Sequence, residues 1–326
     1  MSSLPLRIEL EPLATDSSTL ALAMQCWPEA ERAAQLESLR LLTLSNDVGF
    51  LLMSASQGKK LVGAILAQQI AGKAATLWPP QLASGESDPA IAGLLLARVE
   101  QELTGRDTHL CQALLPKGQE QAAATLTEAG YQHPADLLYM TCEPNHFPAA
   151  APDFSGLLLR SFQPGKEVEL AQIIDETYIS TQDCPALNGL RSTLDVVFGY
   201  QQVGEFRPDR WLILENSSPH SPPRAAGCLL LARHSPHRTM ELIYVGVTPA
   251  FRQQGLGRKL TQHAQWLAAQ DQCERLVLAV DAANGPAIAM YSAAGFWAWE
   301  ERAIWVKDLI AGRNPLPPVS VDSCPR

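Results

Sequence analysis

An internal repeat constrains the fold of this chain more than any other feature of its sequence. Residues 124–131, Ala-Thr-Leu-Thr-Glu-Ala-Gly-Tyr, parallel residues 289–296, Ala-Met-Tyr-Ser-Ala-Ala-Gly-Phe, at an offset of 165 positions. Residues 60–67 similarly precede a related segment, residues 224–231, by 164 positions. Several elements in the same order at a nearly fixed offset are typical of a duplicated structural unit. The sequence therefore predicts two copies of one β-α-β type unit, joined by a linker over residues 144–155.

The second half contains a glycine-bearing turn between a predicted strand and a predicted helix. A β-branched apolar run ends at Pro249, and a helix is predicted to begin near Arg258. The turn between them contains Arg252, Gly255 and Gly257. Main-chain N–H groups at the start of a helix have no intrahelical partner and lie at the positive end of the helix dipole. This arrangement predicts a binding site for a phosphate or a pyrophosphate.

The spacing of this turn excludes two common nucleotide-binding motifs. A P-loop needs Gly-Lys followed by Ser or Thr, whereas Gly257 is followed by Arg258 and Lys259. A dinucleotide-binding turn needs a third small residue at the position that Leu260 occupies. The motif that does fit the sequence is Arg-x-x-Gly-x-Gly after a strand that ends in Val-x-Pro. For this motif taken alone, a surface turn without a ligand is the alternative.

A second motif lies one predicted helix further along the chain. It reads Val-x-x-x-Asn-x-x-Ala-x-x-Met-Tyr-x-x-x-Gly-Phe over residues 280–296. A buried-type strand precedes it at residues 276–280, and its short helix is predicted to start at Pro286 and to end at Gly295. An amphipathic helix over residues 258–269 separates the two motifs. Together they resemble the two conserved blocks of the GNAT superfamily of acyl-CoA N-acyltransferases, over roughly residues 155–310.

The resemblance implies an α+β fold with two tandem GNAT-like domains, each a mixed β-sheet flanked by helices. We expect a degenerate GNAT-like domain without the cofactor loop at residues 1–143, followed by the linker at residues 144–155. An active GNAT acetyltransferase domain is expected at residues 156–310, and a disordered tail at residues 311–326. The two domains are expected to pack on each other, and the oligomeric state is not predicted.

The resemblance also implies that the glycine-bearing turn binds the pyrophosphate of acetyl-CoA, the expected acyl donor. Main-chain N–H groups of about residues 253–258 would contact the phosphates, and Arg252 would stabilise the turn or contact a phosphate. The preceding strand is expected to diverge from its neighbour and to bind the pantetheine arm. Asn284 would hold either this arm or the start of its helix. The predicted cofactor-binding residues are Val245, Val247, Arg252, Gln253, Gln254, Gly255, Leu256, Gly257, Arg258 and Asn284.

Two residues are predicted to act in acyl transfer. Tyr291 is the expected general acid, because a tyrosine at this place in the family lies near the thioester sulfur. Its ordinary pKa of about 10 suits proton donation to a thiolate. Glu241 is the candidate general base, since some family members carry a catalytic glutamate at this strand position. Alternation predicts that its side chain shares a face with those of Ile243, Val245 and Val247. The alternatives are a packing role for the tyrosine, and a solvent-exposed glutamate with a water chain as base.

The acceptor is expected to be a primary amine of a small molecule or of a protein. The loop and helix between the first two strands of the second half carry a polar cluster, although half or more of it can be turn chemistry. The candidate substrate-binding residues of this cluster are Tyr178, Asp183, Asn188 and Arg191. His234 and His237 lie in a proline-containing turn and are predicted to be surface residues, and no metal site is expected.

The first copy is predicted to have lost the cofactor site. Opposite the glycine-bearing turn lies the longer segment 81–89, in which Glu86 and Asp88 would place negative charge at the phosphates. Leu126 and Gln119 stand at the places of the tyrosine and the asparagine of the second motif. The fold is expected to be kept while the chemistry is lost.

Bulk properties limit the other classes of function. The net charge of −9 gives no support for binding to nucleic acid or to an anionic membrane. No apolar run reaches the ~20 residues of a membrane span, and the first residues lack the apolar core of a signal peptide. The 7 scattered cysteines predict reduced thiols and a cytoplasmic location. The leading interpretation is an acetyl-CoA-dependent N-acetyltransferase; the alternative is a non-catalytic acyl-CoA-binding, sensing or assembly module.

Overall fold

The computed structural model describes residues 5–14, 17–43, 49–154, 156–216 and 223–310. The chain forms two compact units: unit 1 contains residues 1–134 and 303–326, and unit 2 contains residues 135–302. The predicted disordered tail at residues 311–326 lies outside the described residues. No helix in the described part of the chain is long and apolar enough to cross a membrane.

Unit 1 is built on strands that pair in the order β1-β2-β3-β4-β5, all antiparallel except for the parallel pair β4-β5. Its largest core cluster lies between this sheet and the long helix α3. The elements are β1 (Leu6–Glu11), α1 (Ser18–Ala23), α2 (Glu29–Thr43), β2 (Gly49–Gln57), β3 (Lys60–Ile70), β4 (Ala74–Leu82), α3 (Pro89–Gly105), β5 (Leu110–Pro116) and α4 (Glu120–Glu128).

Unit 2 has strands in the order β6-β11-β10-β9-β8-β7, and here too one pair, β10-β11, is parallel. One core cluster packs the sheet against α7 and α8, and another packs it against α5 and α6, so helices cover both faces. The elements are β6 (Gln132–Cys142), β7 (Leu158–Ser161), α5 (Glu167–Tyr178), α6 (Thr193–Tyr200), β8 (Trp211–Asn216), β9 (Arg224–His234), β10 (Thr239–Val247), α7 (Leu256–Gln270), β11 (Arg275–Asp281), α8 (Gly285–Ala293) and β12 (Trp297–Asp308).

The predicted repeat appears as the same order of elements in both halves: one strand, two helices, three strands, and then helix, strand, helix and strand.

A polar contact is repeated as well. In unit 2, Gln265 Nε2 lies 3.1 Å from Cys142 Sγ and 2.7 Å from a carbonyl oxygen at the end of α8. In unit 1, 165 positions away, Lys307 Nζ lies 2.6 Å from Glu100 Oε2 and 2.7 Å from the equivalent carbonyl oxygen after α4. An ion pair in one unit thus occupies the place of a neutral contact in the other.

The compact units do not have the boundaries predicted for the domains, 1–143 and 156–310. Strand β6 belongs to the first half of the sequence, yet it pairs with β11 from Leu137 to Cys142 inside unit 2. Residues from Ala303 onward belong to unit 1, where Trp305 packs against its core. The apolar pattern predicts that a strand forms but not which strand it pairs with. Apolar and polar side chains alternate with a period of two residues whichever strand lies beside it.

Candidate active site

The site begins where β10 and β11 separate. These parallel strands pair over three residues only, with Glu241 opposite Val277 as the last pair. Just beyond that pair, the ladder between β10 and β9 is irregular between Leu242 and Tyr244. A bulge adds one residue to one strand of a pair, bends it and increases its twist. The bend therefore separates β10 from β11 toward their carboxyl ends, as the resemblance implies.

A cavity of about 280 Å³ occupies the cleft between the two strands. One wall is β10 from Leu242 to Val247, and the other is Ala279 and Val280 of β11. Helix α8 closes one side, and the end of α5 with the loop after it closes the other. The side chains from these closing elements and from α7 are Thr177, Tyr178, Ser180, Thr181, Gln182, Asp183, Arg252, Gly257, Asn284, Ala287, Met290 and Tyr291.

The bulge also changes which side chains share a face of β10. Val245 and Val247 pack against the core beneath α7, whereas Ile243 and Tyr244 pack against the core beneath α5. The prediction that Glu241 shares one face with Ile243, Val245 and Val247 is therefore wrong. Strict alternation holds only in a regular strand, and one extra residue shifts its phase.

The turn between β10 and α7 leaves a run of main-chain N–H groups without acceptors. Gln253 and Gly255 have φ values of +61° and +71°, and turns that combine such residues with ordinary ones form anion-binding concavities. The first hydrogen bond of α7 runs from the Lys259 N–H to the Gly255 carbonyl at 3.1 Å. Among the described residues, no group accepts a hydrogen bond from the N–H groups of residues 253–258. The predicted phosphate contacts in this segment are thus stereochemically available.

Arg252 stabilises this turn. Its guanidinium donates to three main-chain carbonyls: to Val247 at 3.1 Å, to Thr177 at 2.8 Å and to Ser180 at 3.4 Å. These bonds tie the end of β10 to the end of α5. Of the two roles predicted for Arg252, the structure displays the one in the turn.

Tyr291 and Asn284 lie on the α8 side of the cavity. Tyr291 is 5% exposed, and its ring centroid lies 5.6 Å from that of Phe296. Burial, together with the negative charge of Asp183, raises the pKa of Tyr291, so its phenol stays protonated at neutral pH. Asn284 caps α8, with Oδ1 accepting from the Ala287 N–H at 3.3 Å, and it also lines the cavity.

The loop after α5 is held across the cavity by two reciprocal bonds. Asp183 Oδ1 accepts from the Asp281 N–H at 3.1 Å, and Asp281 Oδ2 accepts from the Cys184 N–H at 2.9 Å. Although much of Asp183 is exposed, protein atoms around its carboxyl desolvate it and raise its pKa, and the charge of Asp281 adds to this shift. The loop therefore brings a carboxylate to the rim of the cavity.

The predicted substrate residues are only partly brought together. Tyr178 and Asp183 line the cavity, whereas Asn188 is exposed after a short helical turn and does not line it. Arg191 does not line it either; burial lowers the pKa of its guanidinium, near the hydroxyls of tyrosines on α5 and α6. Tyr244 is missing from the prediction: its ring meets that of Tyr178 edge-on at 6.0 Å. No sequence signal marks Tyr244, because its direction depends on the bulge.

Glu241 lies at the apex of the cleft and does not line the 280 Å³ cavity. Its Oε2 atom lies 2.7 Å from His234 Nε2, and the two side chains are 36% and 31% exposed. The hydrogen bond that His234 donates to the Glu241 carboxylate is the main cause of the raised pKa of His234. His234, predicted to be a plain surface residue like His237, is instead a half-buried partner of the candidate base. The 7-residue separation in the sequence hides this contact, which the antiparallel pairing of β9 and β10 creates.

The equivalent place in unit 1 is built differently. There the Glu86 Oε1 atom accepts from the next two main-chain N–H groups at 2.9 and 3.0 Å. Asp88 caps α3, accepting from the Ala90 N–H at 3.0 Å. Strand β4 carries prolines at positions 79 and 80, which have no N–H group to donate. In unit 1, the chain's own carboxylates occupy the amides that stay unpaired in unit 2.

One part of the chain resembles a known sequence family. The profile of the Acetyltransferase (GNAT) family matches residues 182–296, which include the cleft, the turn and α8. No curated protein sequence matches the chain.

Several solved structures resemble the chain over nearly its whole length. A GCN5-related N-acetyltransferase from Sphaerobacter thermophilus has a TM-score of 0.60 at 15% identity, covering 96% of this chain and 99% of that one. A glucosamine N-acetyltransferase region of a fungal multi-domain beta-N-acetylglucosaminidase has a TM-score of 0.63 at 13% identity, covering 94% and 38%. A tandem GNAT protein from the clavulanic acid biosynthesis pathway has a TM-score of 0.52 at 15% identity, covering 94% and 100%. At these identities the likeness concerns the fold, which is α+β and GNAT-like, as predicted.

Proposed function

We propose that this chain is a tandem member of the GNAT superfamily and that it transfers an acetyl group from acetyl-CoA to a primary amine. The observation that carries the proposal is the cleft between β10 and β11, which leads from the unpaired N–H groups of residues 253–258 to the buried Tyr291. A donor site and a proton donor thus lie on one cavity. A GNAT acetyltransferase needs both.

The residues around the cleft fit acetyl-CoA. Beyond Glu241, the edge of β10 that faces β11 has no strand partner in the described part of the chain, so its main chain can pair with the amides of the pantetheine arm. The N–H groups of residues 253–258 would bind the pyrophosphate at the start of α7. Arg258 and Lys259 add positive charge beside them. The coenzyme would supply the activated acetyl thioester.

The chemistry assigned to the chain's own residues is proton transfer and charge stabilisation. A main-chain N–H of β10 near Val245 would donate to the oxyanion that forms when the amine attacks the thioester carbon. Tyr291, kept protonated by burial, would give its proton to the departing thiolate. Glu241 would accept a proton from the attacking amine, with one carboxylate oxygen held by His234.

We further propose that unit 2 alone binds the coenzyme. In unit 1, the amides before α3 are already bonded to the carboxylate of Glu86, and the N–H groups of two strand positions are missing at prolines 79 and 80. A pyrophosphate there would meet negative charge instead of free donors. One bound acetyl-CoA per chain is the expected stoichiometry.

Calorimetric titration with acetyl-CoA, followed by a thiol-release assay with a panel of amines, tests the proposal. We expect one coenzyme per chain and CoA release that depends on the amine. Tight binding with no amine-dependent release would favour the non-catalytic alternative, an acyl-CoA-binding or sensing module. Absence of binding would overturn both the enzyme and the sensor.

A further inference from the structure

Unit 2 contains a second cavity, of about 610 Å³, that the proposed chemistry does not yet use. It lies on the sheet and is lined by residues of β6, β9, β10, β11 and β12, among them Thr141, His234, Thr239, Val277, Trp297 and Trp299. Its volume falls within the ~300–1,000 Å³ that is usual for small-molecule sites.

This cavity and the cleft lie along the same face of β11. Val277 lines the larger cavity, while Ala279, two residues later and therefore on the same face, lines the cleft. Tyr139 of β6 pairs with Ala279, and its ring meets that of Trp299 at 6.0 Å. Glu241, opposite Val277, is the last paired residue before the cleft. The apex of the cleft therefore lies next to Val277, a residue that lines the larger cavity.

Aromatic rings form one wall of the larger cavity. Trp297 and Trp299 are each 53% exposed, and their spacing of two residues on β12 places them on the same face. Large exposed aromatic surface next to a cavity is typical of a binding site, because a bound ring can cover it. Tyr139 extends this wall toward the cleft.

His234 and Thr239 line this cavity, and Glu241, two residues after Thr239 and therefore on the same face of β10, is hydrogen-bonded to His234. Glu241 Oε2 is held by His234, while Oε1 has no hydrogen-bond partner among the described residues. A carboxylate with one fixed and one available oxygen is suited to a single ammonium group. Two other acidic residues line this cavity: Glu274, which is paired with Arg238 at 2.6 Å, and Glu143, which is exposed.

From this arrangement we propose that the larger cavity is the acceptor site and that the acceptor is an arylalkylamine, a primary amine on a short arm from an aromatic ring. The ring lies against Trp297 and Trp299, and the amine lies at Glu241, facing the cleft. The exposed indoles disfavour a small aliphatic amine. This inference rests on the proposed N-acetyltransferase function.

The transfer step balances with the groups present. The ammonium gives one proton to Glu241, and the free amine forms the N–C bond to the acetyl carbon while the C–S bond breaks. The nitrogen loses a second proton to water as the amide forms, and the CoA thiolate takes a proton from Tyr291.

A comparison of matched amines tests the inference. The assay measures CoA release with 2-phenylethylamine, n-butylamine, spermidine and glucosamine at saturating acetyl-CoA. We expect kcat/KM for 2-phenylethylamine to exceed that of each other amine by about tenfold or more. Trp299→Ala should raise the KM for 2-phenylethylamine by about tenfold with little change for n-butylamine, and Trp299→Phe should restore most of the loss.

Phe198→Ala is the matched control, because Phe198 is an exposed aromatic residue on α6, 43% accessible, outside the cavity. It should leave all four amines unaffected. Equal or better kinetics with n-butylamine, spermidine or glucosamine would overturn the arylalkylamine assignment, as would a Trp299→Ala variant that acts on all amines alike.

A binding measurement separates this inference from the proposed function. Calorimetry of 2-phenylethylamine with the CoA-saturated protein reports the acceptor site without turnover, and Trp297→Ala should weaken that binding. If acetyl-CoA binds and some other amine is acetylated, the N-acetyltransferase stands and the arylalkylamine assignment fails. If no amine releases CoA, the proposed function fails, and binding of 2-phenylethylamine alone then decides whether the aromatic site exists.

Discussion

Replacement of Gly257 by glutamate is the sharpest perturbation of the proposed cofactor site, because the structure predicts that the fold tolerates the new side chain while coenzyme binding does not. Gly257 is the second residue of α7 and lines the cleft. A Cβ atom there would meet only Met290 Sδ, at 3.3 Å, and a methionine side chain adjusts easily. A carboxylate in the first turn of a helix is favourable by about 0.3–1 kcal/mol. Gly257→Glu should therefore unfold at a temperature close to that of the wild type.

The same carboxylate opposes the coenzyme. At about 4 Å from a phosphate charge, with an effective dielectric constant near 20, the repulsion is about 4 kcal/mol. Since 1.4 kcal/mol is a factor of ten, this corresponds to a Kd raised by about a thousandfold. Screening by physiological salt reduces the effect, so the expected rise is at least about a hundredfold.

Calorimetric titration with acetyl-CoA, at constant ionic strength, measures this change. The matched control is Ala90→Glu, which places the same side chain at the second residue of α3 in unit 1. That control should leave the Kd unchanged, because unit 1 is not expected to bind the coenzyme. A Gly257→Glu protein that melts normally and binds acetyl-CoA within threefold of the wild type would refute the assignment of the turn.

Three other predictions concern the acid, the candidate base and the boundaries of unit 2. Tyr291→Phe should lower kcat by about a hundredfold or more without weakening acetyl-CoA binding; an unchanged kcat across pH 7–9 would remove Tyr291 from catalysis. Glu241→Gln should lower the pKa of His234, followed by NMR titration, because it removes the main cause of the raised value; an unchanged pKa would contradict the pairing. The stabilisation from this pair is present below about pH 6.5 and is lost as the pH rises through the folded-state pKa of His234. A fragment of residues 156–302 should melt far below one of residues 135–302, because it lacks the strand that pairs with β11, and equal melting curves by circular dichroism would show that strand to be dispensable.

Local patterns in the sequence sufficed for the individual elements of unit 2. The apolar residues of segment 167–178 recur at helical spacing and face one core, and helix α5 has those bounds. The helix predicted to begin near Arg258 begins at Leu256, directly after Gly255 in its left-handed conformation. The order of elements and their repetition follow from such local signals.

Local sequence patterns could not predict the features that depend on how strands pair. The bulge at Ile243 adds a single residue, leaves the apolar pattern intact and reverses the direction of every side chain after it. The contact between His234 and Glu241 requires the register of β9 against β10. The aromatic wall requires Tyr139 and Trp299, more than 150 residues apart in the sequence, to lie on neighbouring surfaces of unit 2. Each of these contacts depends on the register between neighbouring strands. Local sequence patterns do not specify that register, because it is set by the packing of the folded chain.

The two units together separate what the fold needs from what the proposed chemistry needs. Both units keep a parallel pair of strands that is hydrogen-bonded over three residues and then diverges, 74–76 with 110–112 in unit 1 and 239–241 with 275–277 in unit 2. The cleft is therefore a property of the fold and is present whether or not a coenzyme binds. What differs is the supply of free main-chain donors, which unit 1 removes with two prolines and the carboxylate of Glu86. The proposed cofactor site thus depends on N–H groups that stay unpaired where the parallel strands separate, and unit 1, which lacks those free groups, is the internal control for acetyl-CoA binding by unit 2.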